Sequence, residues 1–99
     1  MSDARDLAET QLLFAPIEAI LMVVDQPVTA QQLAGVLNVS AEDIEHVLEA
    51  LSAQYAGRSG GREHGFELRR LGGGWRIYSA PRWESLVSQF IVGSGQSKL

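Results

Sequence analysis

Six arginines, Arg58, Arg62, Arg69, Arg70, Arg76 and Arg82, crowd one quarter of the 99-residue chain with only Glu63 and Glu67 among them. Guanidinium groups in such density bind phosphates or carboxylates. The same stretch holds "LRRLGGGWRIYSAP", residues 68–81, where Gly72, Gly73 and Gly74 suggest a phosphate-cradling loop. That chemistry requires a strand, a loop closing on Gly-Lys-Ser/Thr or built as Gly-x-Gly-x-x-Gly, and a helix opening onto the anion. Here a second strand follows the glycines, with no lysine or hydroxyl behind them, so the run is predicted to be a tight hairpin turn in which glycine supplies positive φ. The remaining chemical inventory is thin. His46 and His64 have no partners at zinc-site spacing and are expected to be exposed polar residues. There is no cysteine, which excludes disulfides, a thiolate nucleophile and cysteine-ligated zinc. The serines form no nucleophile elbow, and Glu42, Asp43, Glu45 and Glu49 suit a solvated helix face better than an acid/base pair. No catalytic, cofactor or metal set emerges, and the chain is expected not to be an enzyme.

The elements that position these residues follow from periodicity. The chain is long enough for one small core, and its composition, 45% hydrophobic and 20% charged, is that of a folded domain. Its polar, acidic start does not resemble a secretory signal, and its longest apolar stretch, near Ile20 to Val24, is too short to cross a bilayer. A cytoplasmic location without membrane contact is expected. Leu13, Ile17, Ile20, Leu21 and Val24 have the spacing of one helix face, with Pro16 suited to a first turn. Residues 1–14 read as an arm, partly helical, with Leu7, Leu12 and Phe14 as anchors. Thr29 and Gln32 form a capping box for a short helix with Leu33, Val36 and Leu37 on its buried side, and Asn38 is a suitable stop. Ser40 caps a third helix buried through Ile44, Val47, Leu48, Leu51 and Tyr55. After the glycine-rich loop 57–65 the period becomes two: Phe66 and Leu68 face one way, Glu67 and Arg69 the other, and Trp75 and Ile77 alternate with Arg76 and Tyr78. A last helix begins around Pro81, with Trp83, Leu86, Val87 and Phe90 in line.

Three helices, a hairpin and a further helix are the order of a winged helix-turn-helix, an α+β, mostly helical fold over residues 15–92. Residues 93–99 read as a flexible tail or the start of a linker. In DNA-binding members the third helix reads the major groove and needs basic or amide side chains. This third helix presents Glu42, Asp43, Glu45, His46 and Glu49, and between Ala30 and Ala56 there is no Lys or Arg. Carboxylates set against phosphates oppose binding. A winged-helix transcription regulator working through wing and arginines is the alternative, and it lacks a basic reading face.

"IEAILMVVDQPVTAQQLAGVL" (17–37) followed by "GFELRRLGGGWRIYSAP" (65–81) resembles the N-terminal winged-helix domain of segregation and condensation protein B. Ile17-Glu18-Ala19, the Gln26-Pro27-Val28-Thr29 turn, Gly65-Phe66-Glu67-Leu68-Arg69 and Gly74-Trp75-Arg76 carry the resemblance. It implies a non-enzymatic accessory subunit of bacterial condensin, active in chromosome condensation and partition. It also implies homodimerisation through this domain and binding of the kleisin, segregation and condensation protein A, and through it of the structural-maintenance-of-chromosomes ATPase at the nucleoid. Family members resemble two winged helices in tandem, and residues 93–99 stand where a linker to the second would begin.

A dimer needs apolar surface beyond what a small core hides, and large aromatics supply it most effectively. Trp75, Tyr78, Trp83, Phe90 and Ile91 are the candidate dimer or partner contacts. Arg69, Arg70 and Arg76 are candidates for weak, salt-sensitive contacts with DNA or an acidic partner.

Overall fold

The computed structural model describes residues 4–93, with side chains from residue 9 onward. Helix α1 spans Ala4–Val23, α2 Ala30–Leu37 and α3 Ala41–Tyr55; strands β1 (Phe66–Leu71) and β2 (Gly74–Ser79) follow, then a 3-10 turn at Pro81–Trp83 and helix α4, Glu84–Gly93. The expected winged-helix order is present. The expectations for Leu7 as an anchor and for the tail beyond Gly93 lie outside the described residues.

Local chemistry sets the boundaries of the middle helices. Thr29 Oγ1 accepts from the Gln32 N–H at 3.1 Å while Gln32 Oε1 accepts from the Thr29 N–H at 2.9 Å, a complete capping box for α2. Asn38 ends α2 in the left-handed conformation at φ 60°, its N–H bonded to the Ala34 carbonyl. Ser40 Oγ accepts from the Asp43 N–H at 3.0 Å and starts α3. The first helix differs from expectation. Pro16 lies inside α1 rather than in its first turn, because the helix begins at Ala4. A proline there forfeits a backbone bond and crowds the preceding turn, a cost of about 3 kcal/mol. Leu13 and Phe14 before it and Ile17 after it all pack on the core, which holds the helix through the defect.

Ile17, Leu21, Leu33, Ile44, Val47, Leu48, Leu51, Tyr55, Leu68 and Trp75 make a single core where α1, α2, α3 and the hairpin meet. Val36 is not part of it. It is 73% exposed, since α2 has only eight residues and turns one narrow face, through Ala30 and Leu33, to the core.

The strands pair antiparallel with Phe66 opposite Ser79 and Leu71 opposite Gly74, so Gly72 and Gly73 are the two-residue turn, at φ 58° and 83°. Both glycines supply the positive φ that a type I′ hairpin needs. Gly74 has a different task. A Cβ there would lie 2.8 Å from Pro27 Cβ and 3.1 Å from the Pro27 carbonyl carbon, so only glycine lets the hairpin close on the α1–α2 connection. Beside it, Val28 and Trp75 exchange two backbone hydrogen bonds, of 2.9 and 2.7 Å, which tie the wing to that connection. Ser52 Oγ donates to the Leu68 carbonyl at 3.1 Å and ties it to α3.

Candidate protein-interaction surfaces

The register divides the wing into two faces. Phe66, Leu68, Arg70, Trp75 and Ile77 lie on the face turned to α3; Glu67, Arg69, Leu71, Arg76 and Tyr78 lie on the outer one. The three candidate arginines are therefore separated by alternation alone. Arg70 forms an ion pair with Glu45 of α3, approaches Glu49 at 3.6 Å, and lies 4.9 Å from the centre of the Trp75 ring. Arg69 and Arg76 stand directly opposite each other and lie over Tyr78, at 5.2 and 5.4 Å from its ring centre, with Arg69 also 3.5 Å from Glu67. Tyr78 is half-buried under these two guanidinium groups.

Trp75 is corrected as a partner-contact candidate. Only 3% exposed, it fills its own core beneath the bridge to Val28, and its indole offers no surface.

Helix α3 turns Ile44, Val47, Leu48, Leu51 and Tyr55 inward, which leaves Glu42, Asp43, His46 and Glu49 exposed on the side where a reading helix would meet DNA. At its end the Tyr55 hydroxyl donates to the Glu18 carboxylate of α1. Burial, the bond to Glu18 and that carboxylate's charge together raise the phenol's pKa well above its ordinary value. His64 is half-buried, contrary to expectation. Its Nδ1 lies 3.1 Å from the Tyr55 carbonyl, which can only accept, so Nδ1 carries the hydrogen; the ring packs against both Tyr55 and Phe66, which also meet each other edge-on at 4.9 Å between ring centres. No periodic signal marks this cluster, because a loop residue joins a helix end and a strand start.

The last helix has the predicted pattern and a different environment. Trp83, Leu86, Phe90, Ile91 and Val92 are 45, 58, 61, 46 and 76% exposed, and no described residue of α4 is buried. The stripe read from the sequence thus does not face this chain's own core. Arg82, ion-paired with Glu63, tethers the start of the element to the loop. The Cα radius of gyration, 15.6 Å, exceeds the about 13 Å of a compact chain this long.

A second apolar surface escaped the sequence reading. On α1, Leu12, Met22 and Val23 are about three-quarters exposed, and Ala15 and Ala19 are exposed between them. At 100° per residue these five share about a third of the helix circumference, opposite Ile17 and Leu21. The available signal was that α1 is apolar nearly all round: one face was assigned to the core and its reverse left unread. Among the described residues, no helix is long and apolar enough to cross a membrane.

The family model for segregation and condensation complex subunit ScpB matches residues 15–99. Among solved structures, ScpB from Mycobacterium tuberculosis is similar at 28% identity and a TM-score of 0.71, over 95% of this chain and 52% of that one. A structure described as a dimer of the ScpB N-terminal domain complexed with an ScpA peptide is similar at 24% identity and a TM-score of 0.71, over 83% of this chain and 98% of that domain. A conserved hypothetical protein from Chlorobium tepidum is similar in fold, at 21% identity and a TM-score of 0.69, over 86% of this chain and 51% of that one. The chain thus spans about half the length of the first and third of these. Among curated proteins none matches the chain.

Proposed function

We propose, for a chain that belongs to the segregation and condensation complex subunit ScpB family, a non-enzymatic role as an accessory subunit of bacterial condensin. The domain dimerises and supports binding of the kleisin, ScpA, which links it to the structural-maintenance-of-chromosomes ATPase at the nucleoid. The observation that carries this reading is α4, none of whose described residues is buried and whose Leu86, Phe90 and Val92 are each more than half exposed. Large apolar side chains exposed together along one helix, Phe90 among them, make a surface suited to a protein contact. Trp83, Phe90 and Ile91 make the dimer contact, and Tyr78 contributes at the wing. The relative solved as an N-terminal-domain dimer with an ScpA peptide supports the same reading by similarity of fold.

The alternative, a DNA-reading regulator, draws on Arg69 and Arg76, which face outward from the wing. The helix beside that wing is acidic, and Arg70 is already engaged with Glu45 and Glu49. Direct DNA contact is accordingly weak or absent. Phe90→Asp tests the dimer surface: light scattering of the variant is expected to give the mass of one chain where the parent gives two, and an unchanged dimer would remove α4 from the interface.

A further inference from the structure

Two helices leave apolar side chains outside the fold, and the two surfaces are complementary in shape. On α1, Leu12, Ala15, Ala19 and Met22 follow a three-four-three spacing and are all exposed, so two long side chains border a hollow floored by two small ones. Trp83, Leu86 and Phe90, at the start of α4 and along it, follow a three-four spacing and are 45, 58 and 61% exposed. A row of large side chains seats in such a hollow. At 1.5 Å per residue both runs extend over roughly 10–15 Å, so their lengths agree. Charge does not oppose the contact. Between Thr10 and Val24 the one charged residue is Glu18, whose carboxylate accepts from the Tyr55 hydroxyl, and α4 carries none after Glu84.

Since both surfaces are exposed, they do not cover each other within one chain. Two copies related by a two-fold axis could pair them in three ways. Pairing α1 with α1 leaves α4 bare, and pairing α4 with α4 leaves α1 bare. Either brings on the order of 400 Å² of apolar side chain per copy, about half of what each partner buries in a stable interface. Crossing them, with α4 of each copy on α1 of the other, makes the same contact twice and covers both surfaces.

We infer that α4 of one copy seats in the Leu12–Ala15–Ala19–Met22 hollow of a second copy, with Phe90 over the alanines, and that the second copy returns the same contact. This pairing rests on the reading of the domain as a dimer through α4, and it names the surface that α4 meets.

The chain has no cysteine of its own, so introduced ones map the pairing directly. Ala19→Cys and Phe90→Cys, both at exposed positions, are purified separately, mixed, left to exchange subunits and oxidised. A disulfide forms only where the two Cα atoms come within about 7 Å. The crossed pairing predicts a two-chain band in the mixture that neither variant gives alone. Ala15→Cys replaces Ala19→Cys, and Leu86→Cys replaces Phe90→Cys, should either variant fail to fold by circular dichroism. A two-chain band from Ala19→Cys alone or from Phe90→Cys alone would overturn the pairing. So would a mixture without the band while the parent scatters light as two chains, and that result would leave the dimer reading standing. A parent that scatters light as one chain would overturn the dimer reading and the pairing with it, so the mass of the parent tells the two failures apart.

Discussion

Gly72, Gly73 and Gly74 are alike in sequence and unlike in what replacing them would cost. Gly73 sits at φ 83° with nothing within 4 Å of an added Cβ, so Gly73→Ala meets only backbone strain, about 1–2 kcal/mol. Gly74→Ala drives a methyl group against the backbone and ring of Pro27, and is expected to cost about 2–3 kcal/mol by overpacking and loss of the Val28–Trp75 bridge. Urea unfolding of the two variants checks the order, and equal midpoints would show that the α1–α2 connection yields. Tyr55 gives a prediction in pH. Its phenol is buried and holds its proton to a higher pH than in the unfolded chain, where ionisation occurs near pH 10. Below that point both states are protonated and stability is unaffected; above it the unfolded state loses the proton first, so stability falls as pH rises. Tyr55→Phe is expected to flatten this alkaline decline, measured by denaturation between about pH 8 and 11, and an unaltered slope would assign the decline to other groups. The turn role of Gly72 and Gly73 was legible, because hairpin chemistry is local. The role of Gly74 was not, since the Pro27 that it meets is remote in sequence.

At the scale of elements, the wing and α3 are matched by charge. Alternation sends Arg70 inward to Glu45 and Glu49 and leaves Arg69 and Arg76 outside over Tyr78. Because Arg70 and its partners are substantially exposed, the pair is worth little: Arg70→Ala is expected to cost at most about 1 kcal/mol, less at high salt. A loss of several kcal/mol would mean that stacking on Trp75, rather than charge, holds the wing in place. Capping and strand alternation made α2, α3 and the hairpin readable from the sequence nearly to the residue. Periodicity gave the pattern of α4 but not its environment, since a stripe at helical spacing looks the same whether it meets its own core or another chain. For α1 the difficulty was reversed: the apolar reverse face around Leu12 and Met22 diluted the pattern, and Pro16 suggested a start where the helix only continues.

Across the whole molecule, acid and base are segregated. The helical half holds carboxylates without a single Lys or Arg from Asp6 to Gly57, and the wing and its flanking loop hold most of the arginines. A winged helix built this way sets carboxylates where a reading helix would meet phosphate, and leaves large apolar side chains exposed on two helices, α1 and α4. The fold was visible in the order of elements; the separation of those faces required knowing which side of each helix the small core could cover. Light scattering of the eluting protein, alone and mixed with labelled duplex DNA at low salt, tests this account most directly. It predicts a particle of twice the chain mass whose elution and mass the duplex leaves unaltered. A single-chain mass, or a particle that carries the duplex and releases it as salt rises, would contradict it.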